Sequence, residues 1–593
     1  MNLYSELLKI WCDSLLKLQV TQIEYKGIYG GIMCPACSKI HGRCADAVYP
    51  LMHMAHKTGE SKYLEAAIRL QAWSEHVSCP DGSWINEIDK PWDGITVFGT
   101  IALGEALRKH GEILDKLLLE KWKLRLKKSA TFLYDTFTIS TGNINYPISA
   151  AAALTIAGVV LKDEKFMSRG REFAKLSRSF FTENKLIFGE GHPHDGFTTR
   201  GCRAVDLTYN VEESLPSLVM YSMLTKDEEM LEFLTQSLSE HLEFMLPDGA
   251  WDGSFSSRSY KWSYWGSRTS DGCQGAYGLM ADRDTIFGEA AYRNTLLLKS
   301  CTHNGILHGG PHYNSRGELP CIHHTIGHAK ALATMLDHAN PYIVSNSVMP
   351  LPREIASGVK EYPEIATWLA ALGPWKATVT TYDWEYLKEG HPSGGALSLL
   401  WHKELGPVFM GSMTKYRMYE GSNMQRDRDV ATVALTPRIE LCQEGKYYCN
   451  INYYGAKVEY TSHSEEIRFT ASGKLVDGDH LEPATGSIEF NIEYIIRKNS
   501  FVINASIKGY SGKLNFYFPV ISSKKEKVEF TDTKCIFVHK DDLRLKITAS
   551  SKIHSLKGDN NRIFNHVPGF EALPLYVELD EMDKVSIEIS TLR

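Results

Sequence analysis

The chain is poor in several features that mark whole classes of protein. Cysteine is sparse, twelve in 593 residues, too thinly spread for the disulfide framework of a small secreted domain and pointing to reduced thiols. No apolar run approaches the ~20 residues that a membrane-spanning helix needs, which excludes insertion by that route. Lysine and arginine never gather in a block and the net charge is -6, so nothing is set up to displace counterions from a phosphate backbone, and nucleic acid is excluded as a partner. Met1 to Leu18 lacks a basic leader, an uninterrupted apolar stretch and a small-residue cleavage site, and reads as an amphipathic first helix. On that basis the chain reads as cytoplasmic, or as periplasmic if it is the trimmed form of an exported protein. Nothing in it sets an oligomeric state.

What is plentiful is aromatic surface: 12 Trp, 29 Tyr and 23 Phe. Most of these serve the core, but sugar rings present C–H faces that stack on such side chains, and a carbohydrate ligand fits the surplus. At this length one core does not suffice, and two large domains fit best.

Up to about residue 340, helix-period segments alternate with polar and aromatic loops, and one unit recurs. Arg43-Cys44-Ala45-Asp46 leads into AVYPLMHMAHKTG, Trp92-Asp93-Gly94 into ITVFGTIALGEAL, and Asn145-Tyr146-Pro147 into ISAAAALTIAGVVL. Tyr209-Asn210 opens VEESLPSLVMYSML, Arg268-Thr269-Ser270 precedes DGCQGAYGLMAD, and His323-His324 precedes TIGHAKALATMLD. The six starts are roughly 50 to 65 residues apart, the length of a helical hairpin, and the Ala, Gly and Ser of these second helices suit close inner packing. The pattern predicts an (α/α)6-type toroid, with an open solenoid of helix pairs as the alternative. Prolines break it between Asn340 and Trp375. Beyond, the period changes to two in segments such as GALSLLWHKE, SIEFNIEYIIRK and KVSIEIS, which predicts an antiparallel β-sandwich. The expected domains are residues 1–345, a connector 346–374, and 375–593.

A helical toroid followed by a β-sandwich resembles the two-domain polysaccharide lyases. The segments GGIMCPACSKIHGRCADAVYP, DGSWINEI, GNINYP and YEGSNMQRDRD are most similar to bacterial L-rhamnose-α-1,4-D-glucuronate lyases. The resemblance implies β-elimination on a rhamnose-capped glucuronate of arabinogalactan-type glycans, with Asn, His and Tyr in the catalytic roles. Glycoside hydrolases share the fold, so fold alone does not choose the reaction.

Inner-helix starts converge on the mouth of a toroid, and here they carry His41, Arg43, Trp92, Asp93, Asn145, Tyr146, Tyr209, Asn210, Tyr264, Trp265, Arg268, His323 and His324. Each Asn or Asp is equally a candidate helix cap. Elimination next to a uronate carboxylate needs a group to neutralise that carboxylate, a base for the C5 proton and an acid for the leaving oxygen. Arg43 and Arg268 suit the first role, with Asn145 binding the enolate-like form. His41, His324, Tyr146 and Tyr209 are the candidate proton carriers, and Tyr209 with His324 is the preferred pair. Tyrosine serves both proton steps only where nearby positive charge lowers its pKa. His194, His312 and Tyr313, in loops GEGHPHDGF and HGGPHYNSRG, are candidate substrate contacts, and long loops there favour a pocket and exo action. Tyr419, Glu420, Asn423, Arg426 and Arg428 lie in a sandwich loop able to lean over the mouth.

The competing readings are a hydrolase and a non-catalytic glycan binder. A hydrolase needs two carboxyl groups roughly 5 to 9.5 Å apart, for which Asp93, Asp195, Glu212 and Glu213 are available. The lyase mechanism requires no cofactor. Cys34, Cys37, His41 and Cys44 have the short spacing of zinc ligands but lack a regular second pair; Cys202, Cys273 and Cys321 are the thiols that the fold can bring near. His324 and His328 have metal-ligand spacing without the glutamate of HExxH, and packing histidines are expected there.

Overall fold

The structure, a computed structural model, describes residues 2–592 except 88–90, 193, 340–348, 421–423, 426–432, 541, 557, 559–560 and 581–583. Outer helices are Leu3–Leu18, Ser61–Trp73, Lys116–Thr136, Glu164–Ser177, Glu228–Leu242 and Thr285–Ser300. The inner ones are Val48–Thr58, Thr96–His110, Asn145–Leu161, Leu215–Thr225, Gln274–Tyr277 and Ile322–His338. Leu215–Thr225 continues from Leu207–Tyr209 through a π turn, Asn210–Ser214. Each inner helix packs on the next, and the last packs back on the first, so the ring is closed rather than an open solenoid.

Burial separates the two sets. In Glu164–Ser177 only Phe166, Gly170, Phe173, Ala174 and Ser177 are buried, the single stripe of an amphipathic surface helix. In Asn145–Leu161 nearly every residue from Asn145 to Gly158 is buried, as an inner helix requires. The small residues permit backbone contact: a Cβ on Gly170 would lie 2.4 Å from Thr155 Oγ1, and one on Gly327 2.4 Å from the Ser270 carbonyl oxygen. The caps divide the same way. Asn2, Asp115, Asp163, Asp227 and Asp284 each accept a backbone N–H at an outer helix start. Among the described inner starts only Asp206 does so, leaving the other polar side chains there for a different use.

The strands of the β-domain begin at Gly358–Tyr362, inside the segment expected to be a connector. That strand, Thr367–Leu372, Trp375–Thr380, Ala396–His402 and Gly406–Met410 form a five-stranded antiparallel meander. It shares a core with an eight-stranded antiparallel sheet, in which Ile467, Phe469, Ile492, Tyr494, Ile503 and Ile587 point inward. Thr367–Leu372, Trp375–Thr380 and Ala396–His402 are buried at every position, because the other face of the meander lies on the toroid. After Thr380 the chain leaves the sheet as a loop. No described helix is long and apolar enough to cross a membrane.

Arg353, just before the first strand, ties the domains together. Its Nη1 donates to Asp252 Oδ2 of the toroid at 2.8 Å and its Nη2 to the Ala377 carbonyl of the sheet at 3.2 Å. Arg353 and Asp252 are buried, so removing the cation strands a carboxylate away from water. Arg353→Leu is expected to lower unfolding free energy by about 3–5 kcal/mol, read from denaturant unfolding; a loss well under 1 kcal/mol would show that the tie is not structural.

Candidate active site

A cleft of ≈ 400 Å³ opens where the inner helices start. All six inner-helix starts predicted from the sequence reach its wall: His41 and Arg43, Trp92, Asn145 and Tyr146, Tyr209, Thr269, and His323. The loop before the fifth inner helix also contributes Lys261 and Arg258, and Asn86, Glu87, Asn143, His192 and Glu213 add further polar groups on the toroid side. The sandwich domain adds Tyr386, Tyr419 and Glu420, so the cleft lies between domains. Asn423, Arg426 and Arg428 of the same loop lie outside the described residues.

Two buried carboxylates set the geometry. Asp206 Oδ1 accepts from the Tyr209 N–H (3.0 Å), and Oδ2 from the Arg258 N–H (2.8 Å). Glu190 Oε1 accepts from the Asn145 N–H (3.0 Å), and Oε2 from Arg258 Nη1 (2.9 Å). The Arg258 guanidinium consequently sits 4.0 Å from the Tyr209 ring centre. Burial pushes the Glu190 carboxyl up to about 7 even with Arg258 opposing it. Burial also raises the Tyr209 phenol well above its ordinary value, with Arg258 pulling it down. Tyr209 therefore rests protonated beside a cation able to stabilise its phenolate.

Thr269 links three wall residues. Its hydroxyl hydrogen-bonds the Tyr209 hydroxyl, and its carbonyl accepts from Arg43 Nη1 at 2.8 Å and faces His323 Nε2 at 3.4 Å. Tyr146 Oη accepts from Trp92 Nε1 at 2.9 Å, and burial raises its phenol to about 12. Asn145 Oδ1 is buried with no hydrogen-bond partner among the described residues, which leaves that amide open to a ligand. Lys261 Nζ pairs with Glu420 across the domain boundary, and burial lowers its ammonium to about 8.

Several sequence expectations change. His324 is not on the wall: its ring packs edge-on against Trp265, centroids 5.7 Å apart, inside the ring of helices. Neighbouring residues on a helix point ~100° apart, and the cleft-facing one is His323. Arg268 is buried at the domain interface, donating to Tyr313 Oη and to the His566 carbonyl. Tyr264 bonds Asp248, Trp265 the His308 carbonyl, and Asn210 the Ile187 carbonyl and His241. Asp93 is exposed and off the wall. His194 stacks beneath His192, the histidine of that loop that reaches the cleft. His312 Nδ1 accepts from the Glu571 N–H. Arg43 is on the wall but held by Asp46 and Asp271. The cleft cations not singled out from the sequence are Arg258 and Lys261; their signal lies in SRSYKWSYWGSR, the segment that also holds Tyr264, Trp265 and Arg268. Of the hydrolase carboxyls, Glu212 accepts from the Ser267 N–H behind the wall, and burial holds Glu213 well above the carboxylate range.

Cys34, Cys37 and His41 offer ligand atoms within 4.8 Å of one another. Cys44 is buried apart from them, and Cys321 lies beside Cys34 instead, Sγ to Sγ 3.9 Å.

A closed toroid, a sandwich leaning on its mouth and a cleft lined by tyrosines, an unspent amide and buried cations define a two-domain polysaccharide lyase. The "Ulvan lyase N-terminal domain" family model matches residues 8–354 and the "Ulvan lyase C-terminal domain" model residues 359–592. The chain is 42% identical over 582 residues to a broad-specificity ulvan lyase of Formosa agariphila, covering 97% of this chain and 91% of that one. It belongs to the ulvan lyase family. Among solved structures, the Streptomyces coelicolor chondroitin AC lyase in complex with chondroitin sulphate aligns with TM-score 0.52 at 10% identity, covering 99% of this chain and 79% of that one. A heparan sulfate lyase of Pedobacter heparinus aligns with TM-score 0.46 at 9% identity, covering 100% and 83%. The resemblance to rhamnose–glucuronate lyases thus holds at the level of two-domain polysaccharide lyases, and the arabinogalactan substrate gains no support.

Lys261 supplies a pH test. A lysine lowered to about 8 is charged below that pH and neutral above it, so binding that needs the cation weakens as pH rises through this value. The kcat/KM profile should fall on its alkaline side with a midpoint near 8, and Lys261→Arg should carry the fall to higher pH, guanidinium staying charged beyond ~12. An unmoved midpoint would take Lys261 out of substrate binding.

Proposed function

We propose that this cleft cuts a uronate-containing polysaccharide of the ulvan type by β-elimination. The observation that carries the reading is Arg258 stacked on Tyr209 beside the open amide of Asn145. The substrate carboxylate sits against Asn145, with Lys261 and Arg258 supplying positive charge. As the C5–H bond breaks, charge moves onto that carboxylate, and a preorganised amide and cations stabilise it without reorganisation. Tyr209 carries the proton: once its phenol has given its own proton to solvent, the phenolate, sustained by Arg258, takes the C5 proton. The electron pair forms the C4–C5 double bond, the C4–O4 bond breaks, and O4 receives the proton from Tyr209. Arg258 and Lys261 take the part that the sequence assigned to Arg43 and Arg268. His323, Trp92 and Tyr146 serve as sugar contacts, and no step needs a metal.

Ulvan contains rhamnose and glucuronate, so rhamnose-linked glucuronate is the element this reading shares with the resemblance drawn from the sequence. A cleft of ≈ 400 Å³ is of small-ligand size and supports recognition of a chain end; short unsaturated products from the first time points would bear that out.

The deciding measurement is ultraviolet absorbance of the conjugated C4–C5 double bond during incubation with ulvan, rhamnose-capped glucuronate glycans and chondroitin. Absorbance is expected to rise with ulvan. Tyr209→Phe should lower kcat by about 10²–10⁴-fold with the fold intact by circular dichroism. Sugar release without absorbance would make the enzyme a hydrolase, and an active Tyr209→Phe would remove Tyr209 from the proton path.

A further inference from the structure

The cysteine and histidine cluster beside the cleft takes no part in the chemistry above, yet it is assembled from opposite ends of the toroid. Cys34 and Cys37 lie side by side on a tight turn. The Ser38 N–H donates to the Cys34 carbonyl and the Cys34 N–H to the Lys39 carbonyl, both at 2.9 Å. Ser38 adopts φ 56° to close that turn. His41 Nε2 is 3.1 Å from Cys37 Sγ. Cys321, 287 residues later in the chain, brings its Sγ to 3.9 Å from Cys34 Sγ. Two thiolates on one tetrahedral zinc, each bonded at ~2.3 Å, stand about 3.8 Å apart. Cys34, His41 and Cys321 are buried.

We propose that Cys34, Cys37, His41 and Cys321 form a closed structural zinc site. Three thiolates and one imidazole are a set that zinc takes up in full, leaving no open position for a substrate. His41 Nδ1 faces Glu87 Oε1 at 3.4 Å, the carboxylate–histidine arrangement that orients a metal-bound imidazole. The other histidine cluster, His53 and His110 about Asp337, is already satisfied by hydrogen bonds from both rings and from Tyr49, and is not such a site. The zinc joins the loop entering the first inner helix to the start of the last. Arg43 follows His41 by two residues and His323 follows Cys321 by two, so the metal staples the seam of the ring where two cleft residues are carried.

Full-length protein produced in zinc-supplemented medium is expected to hold one zinc per chain by elemental analysis, released by a mercurial thiol reagent with a fall in Tm. Cobalt(II) replacement should give sulfur-to-cobalt charge-transfer absorption and tetrahedral d–d bands. Cys37→Ser and Cys321→Ser should lose the metal and Cys44→Ala keep it. Metal-free wild-type protein whose Tm ignores the thiol reagent, or zinc retained in Cys321→Ser, overturns the proposal; the wild-type stoichiometry decides even where a variant fails to fold.

Discussion

Two carboxylates with no exposure to solvent, Glu190 and Asp206, hold the cleft in its working geometry. Together they accept from the backbone of Asn145, Tyr209 and Arg258 and from the Arg258 guanidinium. Three elements far apart in sequence are thereby fixed against one another: the third inner helix, the fourth, and the loop before the fifth. Leaving carboxylates in a dry interior is costly unless each oxygen finds donors. Here the donors belong to the residues that the proposed elimination requires in place. The cation that satisfies Glu190 also tunes the Tyr209 phenol, so stability and reactivity rest on the same contacts.

The β-domain is part of the site rather than an appendage. The three central strands of its meander are buried on both faces, unlike a sandwich sheet with one side in water, because the toroid covers the outer side. Buried charges pin that contact: Arg353 reaches Asp252 and the sheet, and Arg268 joins Tyr313 to the His566 carbonyl. With the domains so fixed, Tyr386, Tyr419 and Glu420 reach over the toroid mouth, and Glu420 pairs with Lys261. The cleft thus takes its cations from one domain, and two tyrosines and a carboxylate from the other.

Much of the toroid was legible because a helix writes its burial into a local period. The small-residue runs after Asn145 and His323 marked inner helices, and the six polar starts marked the ring of residues from which the wall is drawn. The β-domain was less so. Strands buried on both faces lose their alternation, and the domain's first strand, the half-exposed Gly358–Tyr362, was hidden in a stretch broken by prolines. Within the site, residue type was legible and orientation was not. His323 and His324 are equal as sequence, and a single helical step places one on the wall and the other against Trp265. Likewise Arg258, Lys261 and Arg268 share one short loop, yet two face the cleft and one the domain interface.

The sequence by itself determined the class of fold, the mouth of the toroid as the place where a cleft opens, and the supply of tyrosine, asparagine and arginine on its wall. These follow from local periodicity and from residue type, which each segment carries alone. Only the tertiary structure decided which cations line the cleft, which histidine faces it, and that Cys321 rather than Cys44 lies against Cys34. Those choices depend on ring closure and on the seating of the β-domain, long-range contacts whose energy no single segment encodes.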